Sequence, residues 1–144
     1  MFKSILVVCI GNICRSPMAE ALLRSRAPEG VVLSSAGIGA LVGKPADPNA
    51  LKLMEERGID ISEHRGRQLT PQIIQDADLI LVMEKGHQDA VHSISPTARG
   101  KVHIICKWDD IDVPDPYRKS PEYFEHILEM IEKGVDQWSS KLWG

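Results

Sequence analysis

Cysteine is scarce in this chain. Cys9, Cys14 and Cys106 are the only three among 144 residues, an odd and small number that excludes the disulfide framework of a small secreted domain. Long hydrophobic runs are missing too. None approaches the roughly 18 residues that a membrane span requires, so no insertion into a membrane is expected. The opening "MFKSILVVCIGN" has one lysine, a short apolar run broken by Gly-Asn, and no small-residue cleavage site. It does not read as a signal peptide, and the expected setting is the cytoplasm. Charge of one sign is not in surplus either: the net charge is −3, unlike the basic excess of nucleic-acid binders. An anionic ligand would have to be held by local geometry, and no nucleic-acid partner is expected. Repeats, low-complexity segments and linkers are also lacking. At this length one domain is expected over residues 1–144, large enough to bury about two-thirds of its unfolded surface.

What the chain does have is clear punctuation. Ser16-Pro17, Asp47-Pro48, Thr70-Pro71 and Ser120-Pro121 each resemble a helix start, with a side-chain oxygen to cap an orphan N–H and a proline where no N–H is needed. Between them lie apolar runs that read as buried strands: "SILVVC" (4–9), "VVLSSA" (31–36), "LILVM" (79–83) and "VHIIC" (102–106). The order is strand, helix, strand, helix, short helix, strand, helix, strand, loop, long helix. Non-alternating strands separated by helices predict an α/β fold with a parallel sheet covered on both faces. The second helix should run from Asp47 to about Arg57, with Gly58 as its left-handed cap. Phe124, Ile127, Leu128, Ile131, Val135, Trp138 and Leu142 lie along one face of the last helix.

Ligands of open α/β sheets bind at the carboxyl ends of the strands. The first strand ends at Cys9, the first helix begins near Pro17, and "CIGNICRS" joins them. Gly11 and Asn12 tolerate left-handed backbone angles, so the loop can curl with successive N–H groups facing inward as an anion nest. The helix N-terminus adds donors and partial positive charge. Arg15 adds a planar fork that matches two phosphate oxygens. Cys9 at the floor of this cradle would be favoured as a thiolate and would face the phosphorus of a bound monoester. Alone, a cysteine before a glycine loop is more often a buried strand residue; the Cys-x5-Arg-Ser spacing tips the reading toward a phosphate site. The absent G-x-x-x-x-G-K-[ST] pattern excludes a P-loop NTPase.

Thiolate attack also needs a proton for the leaving oxygen. "WDDIDVPDPYRKSPEY" (108–123) holds Asp109, Asp110, Asp112 and Asp115. Asp115 stands between two prolines that stiffen its backbone, and Tyr117 offers an aromatic wall. An acidic solvated turn before a capped helix accounts for this segment equally well.

Together, "VCIGNICRSPMAE" and "PDPY" resemble the low-molecular-weight protein tyrosine phosphatases, and "SSAGIGALVGKPADP" and "LILVMEK" extend the likeness over essentially the whole chain. The nearest likeness is to bacterial members associated with exopolysaccharide and capsule machinery. The resemblance implies that Cys9 forms a phosphocysteine, that Arg15 binds the phosphoryl oxygens, and that Asp115 protonates the leaving phenol and then activates water. It implies a phosphate-binding loop of Ile10, Gly11, Asn12, Ile13, Cys14 and Ser16. Within it Asn12 holds the shape, Ser16 hydrogen-bonds the thiolate and Ser35 braces Asn12. Cys14 matches a second loop cysteine able to form a protective disulfide with the nucleophile; a small packing residue is the equal alternative. The expected sheet has four parallel strands in the order 2-1-3-4. No cofactor or metal is implied. The implied partner is a phosphotyrosine protein, a tyrosine autokinase in particular, with inorganic phosphate as product and the enzyme a monomer or weak oligomer.

One departure bears on substrate choice. Ala40 and Leu41 stand where many eukaryotic members carry a bulky aromatic, which predicts a lower, aliphatic wall opposite Tyr117. Arg118 and Lys119 read as a solvated basic turn, as does "HRGRQL" (64–69). Cys106 reads as core, and the five histidines lack metal-like spacing. Two rivals remain. Thioredoxin-coupled arsenate reductases share the loop but need two more cysteines, where only Cys106 is present. A phosphotyrosine-binding module needs neither Cys9 nor Asp115.

Overall fold

The computed structural model describes residues 2–144. In chain order its elements are β1 (Ser4–Cys9), α1 (Arg15–Arg24), β2 (Val32–Gly37), α2 (Pro48–Glu56), α3 (Pro71–Asp76), β3 (Leu79–Val82), α4 (Lys85–Ile94), β4 (Val102–Ile104) and α5 (Pro121–Trp143), with a short 3-10 turn at Pro96–Ala98. The four strands form one parallel sheet in the order β2-β1-β3-β4. Cys9 stands opposite Gly37 at the carboxyl edge of β1.

Alternation along β1 divides the core. Ile5, Val7 and Cys9 face a cluster built with α1, α2 and α5, whereas Leu6 and Val8 face a second cluster that includes Ile74 of α3 and Val91 of α4. Burial on both faces explains why the strands read as continuous apolar runs. The stripe predicted on α5 is the buried one: Phe124, Ile127, Leu128, Ile131, Val135 and Trp138 are buried, with Leu142 partly so.

Three of the four proline-marked starts are side-chain caps. Asp47 Oδ1 accepts from Asn49 N at 2.9 Å, Thr70 Oγ1 from Ile73 N at 3.2 Å and Ser120 Oγ from Tyr123 N at 3.2 Å. Gly58 follows α2 with φ +75°. Ser16-Pro17 is different. Helix α1 begins at Arg15 after Cys14, so Ser16 lies inside the first turn, where Pro17 still removes only an orphan N–H. Ser16 turns its hydroxyl to the Cys9 sulfur and caps nothing. The run 102–106 is strand only to Ile104. Its neighbour β3 ends at Val82, whose carbonyl accepts from Ile105 N; beyond that no strand remains to pair with, and the chain turns.

Phe124 is fully buried in the core cluster that joins α5 to β1, α1 and α2. Phe124→Ala is expected to cost about 3–5 kcal/mol in urea unfolding; a loss below about 1 kcal/mol would show that this contact does not hold α5 in place.

Candidate active site

Strand β1 carries Cys9 to the sheet edge, and the next turn of chain wraps around its sulfur. Every carbonyl of that turn is tied to the surrounding scaffold. Cys9 O accepts from Ile38 N at 2.9 Å, Ile10 O from Gly39 N at 3.0 Å, Gly11 O from Leu41 N at 2.9 Å and Ile13 O from Asp47 N at 2.8 Å. Asn12 O accepts from His64 Nε2 at 2.6 Å, and Cys14 O from Met18 N at 3.4 Å. In a planar trans peptide the N–H points away from the carbonyl that precedes it. The amides of Ile10 to Arg15 are therefore turned away from the scaffold. Among the described residues, no N–H from Ile10 to Ser16 has an acceptor within the protein. Of these residues Ile10, Gly11, Ile13, Cys14 and Arg15 line one cavity with their N–H groups unpaired, the arrangement a nest requires.

Asn12 supplies the bend, with φ +60°. Gly11, also expected to do so, is not left-handed, and a Cβ there would meet Leu41 only at ordinary contact distance. Asn12 is fully buried and engages both side-chain amide hydrogens and its carbonyl oxygen. Its Nδ2 donates to Ser16 Oγ at 2.7 Å and to Ser35 Oγ at 3.0 Å, while Oδ1 accepts from Arg67 N at 2.9 Å. Ser16 Oγ lies 2.9 Å from Cys9 Sγ. Two glycines make the approach possible: a Cβ on Gly37 would meet Ile10 O at 2.3 Å, and one on Gly66 would meet Leu41 O at 2.2 Å.

Arg15 is 1% exposed. Its Nη1 donates to Glu84 Oε2 at 2.5 Å and to Val113 O at 2.8 Å. Nε and Nη2 have no hydrogen-bond acceptor among the described residues, which leaves one edge of the fork for a ligand. Nη2 lies 3.9 Å from Asp115 Oδ2. The Val113 contact fastens the acidic loop to the arginine, and Val113 N donates back to Met83 O. Of the four aspartates there, three have other partners: Asp109 pairs with Lys133, Asp110 with Lys85, and Asp112 Oδ1 accepts from Lys85 N at the start of α4. Asp115 alone reaches the cavity, half-exposed, with Oδ1 steadied by Tyr117 N at 3.0 Å.

The cavity holds about 170 Å³, with Cys9 and Arg15 among its lining residues. Ile10, Leu41 and Tyr117 line its mouth at 40–41% exposure, so the wall opposite Tyr117 is aliphatic, as Leu41 predicted. Asn12, Ser16 and Ser35 stand behind the loop and do not line the cavity.

A family model described as low molecular weight phosphotyrosine protein phosphatase matches residues 4–143. This chain belongs to that family. It is 54% identical over 142 residues to the probable low molecular weight protein-tyrosine-phosphatase EpsP of Ralstonia nicotianae, with 99% of this chain and 97% of the relative covered. It is 46% identical to the Escherichia coli K12 phosphatase Wzb, at 99% and 97% coverage. The structure of Vibrio vulnificus Wzb in complex with benzylphosphonate superposes with a TM-score of 0.95 at 45% identity, covering 99% and 100% of the two chains.

In this phosphatase Arg65, Arg67 and Gln68 of "HRGRQL" are exposed, as a solvated segment should be, but His64 and the segment's backbone also brace the loop. His64 and the Arg67 amide hold Asn12, while Arg67 O and Leu69 N bond Gly37. Glu84, the partner of Arg15, was likewise not singled out by the sequence; its only local sign is its place just after β3. Cys14 is buried, and desolvation first, then Asp47, push its thiol well above the usual range. Cys106 is core as expected, with burial raising its thiol to about 11.

His87 is buried beside this site. Its Nε2 lies 3.5 Å from Glu84 Oε2, and its Nδ1 has no partner among the described residues. Burial first, and Arg15 second, lower its pKa below the ordinary histidine value. The unfolded chain therefore takes up this proton at higher pH than the folded one, so the native state loses stability as pH falls from about 6.5 toward the folded-state value. His103, also lowered by burial, adds the same sign. Replacing His87 by Gln is expected to shallow the fall in urea midpoint between pH 7.5 and pH 5; an unchanged slope would place that loss elsewhere.

Proposed function

We propose that this low molecular weight protein-tyrosine-phosphatase hydrolyses phosphotyrosine through a phosphocysteine on Cys9. The observation that carries the reading is the ring of unpaired amides around that sulfur, with the free edge of the Arg15 guanidinium beside it. A phosphoryl group seated there would have its oxygens bound by the nest and by Arg15. The Cys9 sulfur donates an electron pair to phosphorus as the bond from phosphorus to the phenolic oxygen breaks. The departing oxygen takes its proton from Asp115. Asp115, now ionised, removes a proton from water; the water oxygen bonds to phosphorus, the P–S bond breaks toward sulfur, and inorganic phosphate leaves. Charge developing on the phosphoryl oxygens meets donors already in place. The scheme calls on no metal or cofactor.

The aromatic side of the substrate would lie between Tyr117 and the low wall of Ile10 and Leu41. Likeness to EpsP and Wzb supports a bacterial role in exopolysaccharide or capsule regulation, acting in the cytoplasm on the phosphorylated tail of a tyrosine autokinase.

With p-nitrophenyl phosphate, Cys9→Ser is expected to reduce kcat by at least about a thousandfold, the scale on which loss of a nucleophile acts. Turnover comparable to the parent enzyme would end the covalent scheme. For Asp115→Asn the expected loss is about a hundredfold or more with phosphotyrosine and smaller with aryl phosphates of acidic phenols. Equal losses across leaving groups would remove Asp115 from the role of acid.

A further inference from the structure

Behind the phosphate loop a chain of hydrogen bonds connects the nucleophile to a carboxylate on α1. From Cys9 Sγ it passes to Ser16 Oγ at 2.9 Å, to Asn12 Nδ2 at 2.7 Å, to Ser35 Oγ at 3.0 Å and to Glu20 Oε1 at 2.5 Å. The four inner residues are buried. The Glu20 side chain is 14% exposed.

The direction of each bond decides what the sulfur receives. A serine hydroxyl has one hydrogen, an amide NH2 only donates, and an ionised carboxylate only accepts. Glu20 therefore takes the hydrogen of Ser35, and Ser35 Oγ can offer Asn12 nothing but lone pairs. Asn12 must then present Nδ2 to it, and its other hydrogen goes to Ser16 Oγ. Ser16 has only one place left to point its own hydrogen, the sulfur of Cys9. Were the Asn12 amide turned over, Oδ1 would face both hydroxyls and draw the Ser16 hydrogen to itself. The Arg67 main-chain N–H opposes that rotation from one side. Glu20 opposes it from the other.

We infer that Glu20 is a positioning residue for the nucleophile: by holding the hydrogen of Ser35 it sets the direction of the chain, so that Ser16 donates to Cys9. The inference rests on Cys9 being the nucleophile. Glu20 touches no substrate and acts through three intervening side chains.

The charged groups around Glu20 allow a test by sign. Glu20 pairs with Arg24, shares one surface cleft with Asp60, Glu63 and His64, and shares another with His64, Arg65 and Arg67, whose Nε donates to Ser35 O. Acting through space, its negative charge disfavours a second negative charge on sulfur, so its removal would ease thiolate formation. Acting through the chain, its removal withdraws a donor from the sulfur and makes the thiolate harder to form. The two routes move the pH profile in opposite directions.

The experiment is the pH dependence of inactivation by iodoacetate, protectable by inorganic phosphate and mapped to the modified cysteine. It is run on the full chain as wild type, Glu20→Met, Glu20→Gln, Ser35→Ala and Ser16→Ala, and on the Ser16→Ala/Glu20→Met double variant. Glu20→Met and Ser35→Ala are each expected to raise the midpoint by about half to one unit, corresponding to a roughly three- to tenfold smaller thiolate fraction on the acid side. kcat/KM should fall by the same factor at low pH and recover at high pH, with inhibition by phosphate nearly unchanged. Glu20→Gln, whose carbonyl still accepts from Ser35, should stay near wild type, and Glu20→Met should add nothing once Ser16 is alanine. A midpoint that stays put or moves down in both Glu20→Met and Ser35→Ala overturns the inference. So does an undiminished shift in the Ser16→Ala background, or a loss equal at every pH with weakened phosphate inhibition, which marks mere packing. If wild type is not inactivated through Cys9 at all, the nucleophile assignment falls first and this inference with it.

Discussion

The site depends on how one short stretch of backbone spends its hydrogen bonds. Between Cys9 and Ser16 the carbonyls are used by the scaffold and the amides are not. Buried main-chain donors left without acceptors are costly, so such a loop is stable only if rigid surroundings hold each carbonyl in place. The surroundings come from several parts of the chain: the end of β2 and the residues after it, the start of α2, and His64. A ligand with several acceptor oxygens relieves that cost. On the proposed reading, affinity for a phosphoryl group is prepared in the fold, and no net positive charge is needed to hold the anion.

Arg15 shows the same principle in a side chain. A buried guanidinium is tolerable when paired and hydrogen-bonded, and here Glu84 and Val113 O engage one nitrogen only. The remaining edge is held in a fixed plane beside the cavity. Because Val113 belongs to the segment that carries Asp115, one arginine links the loop after β1, Glu84 just after β3 and the aspartate-rich loop. The two loops that carry Cys9 and Asp115 are 98 residues apart at that hydrogen bond, yet they share one point of attachment.

Legibility in the sequence followed locality. The strand, loop and helix that carry Cys9 to Ser16 are contiguous, so their spacing could be read directly, and the buried stripe of α5 was visible for the same reason. Asp115 could not be told from a solvated acidic turn until the ion pairs of Asp109 and Asp110 and the hydrogen bond of Asp112 were seen. The bracing by His64 and the Arg67 amide was not legible because a short basic segment looks alike whether it only faces water or also braces a loop. Glu84 was missed since nothing in its neighbourhood announces a partner 69 residues away. Ser16 carried two expectations: the Ser-Pro pair suggested a helix cap, which it is not, and the family resemblance suggested a bond to the Cys9 sulfur, from which its hydroxyl lies 2.9 Å.

The most direct measurement is the backbone amide spectrum during titration with inorganic phosphate. The account predicts saturable, single-site downfield proton shifts for the amides from Ile10 to Ser16, larger than those anywhere else in the chain. Shifts confined to the basic residues Arg118 and Lys119, with the loop amides unmoved, would contradict it.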